Sequence, residues 1–238
     1  KLDISGKFSK GLIAKENIIE KTIRKLEDLF DREFKVNVKL IKNLPISSGM
    51  AGGSSNAATL IRAIIELYKL KIEPKRINEL LISIGSDVPF CFFGKTALVQ
   101  GKGEKVNFFL RGIPEFFLLL VNPGQQISTK RIFNKIEIKS VKKKMNSIDF
   151  SSDENFIKYI KNRNNDLEIP AIKECKEIAV LLNFFNSYTD CLLSRMTGSG
   201  STCFAVFQTK DKLQNAEKIA RKNFKNYWIQ KTKIVNEI

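Results

Sequence analysis

Apolar and polar positions along the chain recur with two periods, near two and between three and four, and they alternate in order. Val36-Asn37-Val38-Lys39-Leu40-Ile41 has the rhythm of a half-buried strand, while Ala57, Leu60, Ile61, Ile64, Ile65 and Tyr68 recur at helical spacing, predicting a helix from Ser55 to about Lys69. Ile18, Ile19, Thr22, Ile23, Leu26 and Leu29 predict an earlier helix behind Glu16-Asn17. A further helix is expected from Pro74 to Ile84, with proline in its first turn and Gly85 as its stop. Thr96 to Gln100 reads as a strand closed by Gly101-Lys102-Gly103-Glu104, and Phe116 to Val121 as a buried strand ended by Asn122-Pro123-Gly124. Ile136 to Asn165 is polar and lysine-rich, which predicts a mobile loop with partly ordered helices. Beyond it, helices are expected at Ile172 to Phe185 and Asp211 to Asn223, and strands at Thr202 to Gln208 and Tyr227 to Ile234.

Strands and helices alternate without internal repeats, so the expected class is α/β or α+β in two domains. The chain is set to change domain around Arg111-Gly112-Ile113-Pro114, giving residues 1–112 and 113–238.

Composition narrows the chemistry. The 238 residues contain no histidine, which removes Ser-His-Asp and Cys-His catalysis and histidine metal sites. Proton transfer falls to a carboxylate, lysine, tyrosine or cysteine. Cys91, Cys175, Cys191 and Cys203 have no C-x-x-C spacing and read as reduced, mostly buried thiols. No apolar run is long enough to span a bilayer, and no signal-peptide pattern opens the chain, so cytoplasm is the expected location. The net charge of +16 invites a nucleic-acid reading, yet the lysines are dispersed, with Lys142-Lys143-Lys144 as a short run. A solvated basic surface biased toward anionic substrates is the preferred account.

Between the strand at 36–41 and the following helix lies Pro45-Ile46-Ser47-Ser48-Gly49-Met50-Ala51-Gly52-Gly53-Ser54-Ser55. Glycines there can take positive φ and let a polyanion approach the main chain. Ser54 or Ser55 would open a helix whose N-terminus favours negative charge. The same residues also suit a plain tight turn with a serine cap, and the loop lacks the lysine of a Walker A sequence. Asp87 follows the helix-stop glycine and precedes Val88-Pro89, which suits either a rigidly held base or a helix cap. Gly198-Ser199-Gly200 is a second glycine turn that could line the same cleft or only precede a strand.

These residues resemble the GHMP small-molecule kinases. The loop from Leu44 to Ala58 looks like the ATP motif of that family. Gly85-Ser86-Asp87-Val88-Pro89-Phe90, Gly101-Lys102-Gly103-Glu104, Asn165-Asp166-Leu167-Glu168 with Pro170-Ala171, and Ser194 to Gly200 resemble the branch that phosphorylates 4-diphosphocytidyl-2-C-methyl-D-erythritol, rather than mevalonate or homoserine kinases. The resemblance implies a two-domain α+β kinase of isoprenoid precursor synthesis, with a βα first domain and a ferredoxin-like second domain. It implies ATP as co-substrate, Mg²⁺, and a small cytidine diphosphate substrate as the partner, with no nucleic acid and no membrane; it leaves the metal ligands and the oligomeric state open. It makes Asp87 catalytic, Pro45 to Ser55 the triphosphate loop, and Asn17 a neighbour of the adenine. Thr129 and Phe133 fall to the substrate, Phe133 stacking on the cytosine, although by position alone Phe133 would be core.

Two family features have no counterpart in these 238 residues: an opening Pro-Ala-Lys-x-Asn-Leu strand, whose lysine works beside the aspartate, and a Gly-Tyr-His turn. The sequence, which begins at Lys1, is therefore expected to lack early strands of the first domain. A catalytically impaired nucleotide-binding member of the family is the alternative reading, and a basic nucleic-acid-binding protein a more distant one.

Overall fold

The structure is a computed structural model and describes residues 1–109, 112–136 and 152–236. It separates into two compact units. The first comprises Lys1–Leu44, Ala51–Leu110 and Asn236–Ile238, and the second Pro45–Met50 and Arg111–Val235. The expected division after residue 112 assigns Pro45–Met50 to the first domain, whereas these six residues pack with the second unit. Half of the lysine-rich segment expected to be mobile, residues 137–151, lies outside the described residues.

In the first unit the order is β1 (Leu2–Ser5), α1 (Ile18–Phe30), β2 (Val38–Ile41), α2 (Gly52–Leu67), α3 (Pro74–Ile84), α4 (Val88–Phe93), β3 (Ala97–Gln100) and β4 (Lys105–Phe108). β1 and β2 pair in parallel, Leu2 opposite Val38, and β3 and β4 form an antiparallel hairpin. The helices form because their apolar residues fall on one face. Ile19 and Leu26 of α1, Ala57, Ala58, Ile61 and Ile64 of α2, and Leu81 and Ile84 of α3 are buried together with Val88. Each such large side chain contributes roughly 1.5–3 kcal/mol on burial. β1 and β4 were not anticipated.

The second unit contains β5 (Phe117–Asn122), α5 (Thr129–Phe133), α6 (Asp153–Lys161), α7 (Glu168–Glu174), α8 (Glu177–Asn186), β6 (Leu193–Met196), β7 (Cys203–Phe207), α9 (Lys210–Asn223) and β8 (Trp228–Lys233). Its antiparallel sheet has the order β6-β7-β5-β8, with Leu119 of β5 opposite both Ala205 and Lys231. Alternation sorts the side chains between two layers, as a period of two requires. Leu119, Val121, Cys203, Ala205 and Phe207 pack with α7, α8 and α9, while Leu118, Phe204 and Val206 pack with Phe156 and Ile157 of α6. The single helix expected from Ile172 to Phe185 is two helices. Cys175 takes an extended conformation (φ −142°, ψ 96°) and is buried, which ends α7 before α8 begins.

Candidate functional site

The glycine-rich loop is built from an unusual backbone. Ser47, Gly49 and Ala51 adopt left-handed conformations, with φ of 51°, 70° and 50°. Alternation of left-handed residues curls main-chain N–H groups toward one side, a geometry that favours anions. The helix behind the loop begins three residues earlier than the serines predict. Its cap is Ala51, which offers no side-chain acceptor, and Ser54 and Ser55 lie inside the first turn. The first intrahelical bond runs from the Ser55 N–H to the Ala51 carbonyl (2.9 Å), leaving Gly52, Gly53 and Ser54 without intrahelical acceptors. The expectation of a serine cap is thus corrected: the N-terminus of α2 is uncapped by protein, and its dipole can hold an anion.

The glycines divide into two kinds. A Cβ on Gly49 would sit 2.2 Å from the Thr197 carbonyl oxygen, and one on Gly198 would sit 2.6 Å from the Gly49 carbonyl oxygen. Those two glycines let two turns of the second unit interlock, main chain against main chain. Gly52 and Gly53 are different: added methyls would meet Leu44 at 3.6 Å and Ile18 at 3.9 Å, ordinary contacts, at helical rather than positive φ. Alanine would be the better helix former there by roughly 1 kcal/mol. Neither packing nor backbone strain requires glycine at 52 and 53.

Side-chain hydrogen bonds fix the turn at Gly198-Ser199-Gly200. Thr197 donates its hydroxyl to the Gly49 carbonyl (3.2 Å), and the Thr202 N–H donates to the carbonyl of Ser48 (3.3 Å). Asn165 donates its amide to the carbonyls of Met196 (3.0 Å) and Gly198 (2.8 Å) and accepts from the Leu167 N–H, while Glu168 accepts from the Met196 N–H (3.0 Å). Beneath them Asn122, 1% exposed, donates to Thr202 Oγ1 (2.9 Å). The hydroxyls of Thr129 and Ser199 meet at 2.8 Å, tying the first turn of α5 to the same glycine turn. Within the second unit, Pro45–Met50, Thr129 and Gly198–Gly200 are therefore joined into one polar scaffold.

Phe133 is 56% exposed while its neighbour Ile132 is fully buried. The core reading that its position suggested does not hold. In the first unit Asp87 precedes α4 and makes no side-chain cap bond, so capping does not explain it; its chain position is held by Val88 and Pro89, both buried. Cys91, one turn on, is no alternative nucleophile, because burial, with the Asp87 charge adding to it, pushes its thiol up to about 11. Asn17 caps α1, its side-chain oxygen accepting the Ile19 N–H at 3.1 Å. Among the described residues no group of three or more His, Cys, Asp or Glu could hold a metal ion.

Residues 17–95 match the family model "GHMP kinases N terminal domain", and residues 143–226 match "GHMP kinases C terminal". The 4-diphosphocytidyl-2-C-methyl-D-erythritol kinase of Anaplasma phagocytophilum is 34% identical over 84% of this chain and 67% of its own length. That of Rhizobium etli is 31% identical over 98% of this chain and 78% of its own length. The chain belongs to the GHMP kinases. Its fold agrees: a solved 4-(cytidine 5'-diphospho)-2C-methyl-D-erythritol kinase superposes with a TM-score of 0.71 at 20% identity, covering 97% of this chain and 81% of that one. A homoserine kinase from Cytophaga hutchinsonii gives 0.61 at 15% identity, over 100% of this chain and 82% of its own.

A GHMP kinase is a small-molecule kinase that uses ATP, and the sequence identified both the loop and the aspartate as its candidate machinery. It gave no role to Asn122 or Asn165. Asn122 read as part of a turn and Asn165 as part of a motif, and only the fold brings their amides to carbonyls and hydroxyls distant in sequence.

Proposed function

We propose that this chain transfers the γ-phosphate of ATP to the 2-hydroxyl of 4-diphosphocytidyl-2-C-methyl-D-erythritol, the substrate in the names of its relatives. The observation that carries the nucleotide part is the uncapped start of α2, where Gly52 and Gly53 leave room that the protein itself does not fill. The loop from Pro45 to Ser55 would cradle the triphosphate, the main-chain N–H groups of Gly52, Gly53 and Ser54 foremost, with Asn17 beside the adenine. Asp87 would accept the proton of the attacking hydroxyl, or orient that hydroxyl, as a placed carboxylate does in phosphoryl transfer. Thr129 and Phe133 would receive the substrate, the ring of Phe133 stacking on cytosine. Gly198, Ser199 and Gly200 would line the space beside the loop.

Mg²⁺ ordinarily needs only one or two protein oxygens when phosphates supply the rest, so the lack of an acidic cluster among the described residues is compatible with it. Ser54 and Ser55 are the hydroxyl donors of α2's first turn that could hold it, and the ion would neutralise phosphate charge. The net charge of +16 suits an anionic substrate. No helix among the described residues is long and apolar enough to cross a membrane.

The test is direct. The full-length gene product is incubated with ATP and the substrate, and the product is examined by phosphorus NMR. A new phosphomonoester at the 2-position with stoichiometric ADP is expected; ADP release without that resonance would overturn the substrate assignment.

A further inference from the structure

The turn Gly101-Lys102-Gly103-Glu104 closes the β3–β4 hairpin and has no role in the account above. Its geometry gives it one. Gly103 has a φ of 107°, and a Cβ built on it would fall 2.0 Å from the carbonyl oxygen of Ser86, 2.9 Å from its carbonyl carbon and 3.1 Å from its Cα. The main chain of the turn therefore rests against the main chain of Ser86, the residue before Asp87, and only glycine permits that approach. Glu104 locks the turn. Its carboxylate accepts the Lys102 N–H at 2.5 Å and occupies the space over Gly101, where a Cβ would lie 2.0 Å from Glu104 Oε1.

Asp87 needs such support. Its side chain makes no cap bond, so the placement of its Cα and Cβ rests on the backbone on either side. On one side stand the buried Val88 and Pro89. On the other stands Ser86, backed by the hairpin turn. We propose that Gly103 is a positioning residue for Asp87, and that Glu104 holds the turn rigid so that Gly103 can act. The proposal rests on the reading of Asp87 as the group that handles the substrate hydroxyl.

Gly103→Ala, Glu104→Ala and Asp87→Asn are compared in the full-length gene product by kcat, KM for both substrates and the Kd of a non-hydrolysable ATP analogue. Gly103→Ala is expected to lower kcat about a hundredfold, the cost of displacing a reacting group by about 1 Å, with the Kd for nucleotide unchanged. Glu104→Ala, at a half-buried position outside the hydrophobic core, is expected to lower kcat less, in the same direction and again with unchanged Kd. Should Gly103→Ala fail to fold, Glu104→Ala decides alone. A wild-type kcat in a folded Gly103→Ala or Glu104→Ala protein overturns the positioning role, as does a parallel loss of kcat and nucleotide affinity. If Asp87→Asn loses turnover while the other two keep it, the positioning role fails and the Asp87 reading stands. If Asp87→Asn turns over normally, both fail.

Discussion

Thr197 donates its hydroxyl to the main-chain carbonyl of Gly49 across 3.2 Å, joining two glycine turns separated by 148 residues of sequence. The bond makes the first half of the phosphate-loop candidate part of the second unit, although the chain reaches it from the first. The loop's shape thus depends on the distant turn at Gly198-Ser199-Gly200, which the sequence marks as a glycine turn without showing that it bonds to the loop.

Gly49 and Gly53 should behave oppositely. Gly49→Ala places a methyl 2.2 Å from the Thr197 carbonyl oxygen at a φ of 70°, so it should lower both the melting temperature and the affinity for an ATP analogue. Gly53→Ala should keep or raise stability, by up to about 1 kcal/mol, while weakening the nucleotide in calorimetric titration. Undiminished affinity in Gly53→Ala would remove the main-chain phosphate contact from the account.

Much of this arrangement was legible in the sequence because it is local. The helix at Pro74 to Ile84 was read to its boundaries from a first-turn proline, an apolar face and a stop glycine. The start of α2 was misread because serine is the preferred cap, whereas here Ala51 takes the cap position and leaves the helix amides open. The break at Cys175 escaped notice because an apolar residue at helical spacing does not reveal its own φ and ψ. The brace from Asn165 to Gly198 spans 33 residues, and a hydrogen bond of that reach has no periodic signature.

Asn165→Asp should test that brace. It removes two N–H donors and sets a carboxylate against the carbonyls of Met196 and Gly198, at a cost of about 1–3 kcal/mol for the unmade bonds. Chemical denaturation should show the lost stability, and the KM for ATP should rise. An unchanged denaturation midpoint would mean that the amide is not holding the turn.

Phe133→Ala should weaken the cytidine substrate far more than ATP. Stacking of a base on an aromatic ring contributes about 1–3 kcal/mol in single-stranded nucleic-acid complexes, equivalent to about 5- to 150-fold in Kd. Its 56% exposure means that truncation should leave the melting temperature nearly unchanged. Equal losses for both ligands would assign the ring to packing.

Acid should loosen α5. Glu174 of α7 accepts a hydrogen bond from Lys135 and pairs with Arg131 of α5 at 3.2 Å, and these partners, Lys135 foremost, hold its carboxyl below the usual glutamate value. A depressed carboxyl stabilises the fold above the unfolded value of about 4.3 and loses that contribution as the pH falls through and below it. Thermal melts over that range should show a shallower acid slope in Glu174→Gln than in wild type; identical slopes would show that the pair contributes nothing.

The central claim is that Asp87 handles the proton or the orientation of the substrate hydroxyl while main-chain amides hold the phosphates. It is tested most directly by single-turnover phosphoryl transfer in Asp87→Asn full-length gene product, alongside binding of an ATP analogue. The substitution keeps the size of the side chain and removes its charge at an exposed position, so fold and nucleotide affinity should persist. The rate should fall about 10²–10⁴-fold, the usual contribution of a general acid–base group. A wild-type rate, or a loss of nucleotide affinity that accounts for the whole effect, would contradict it.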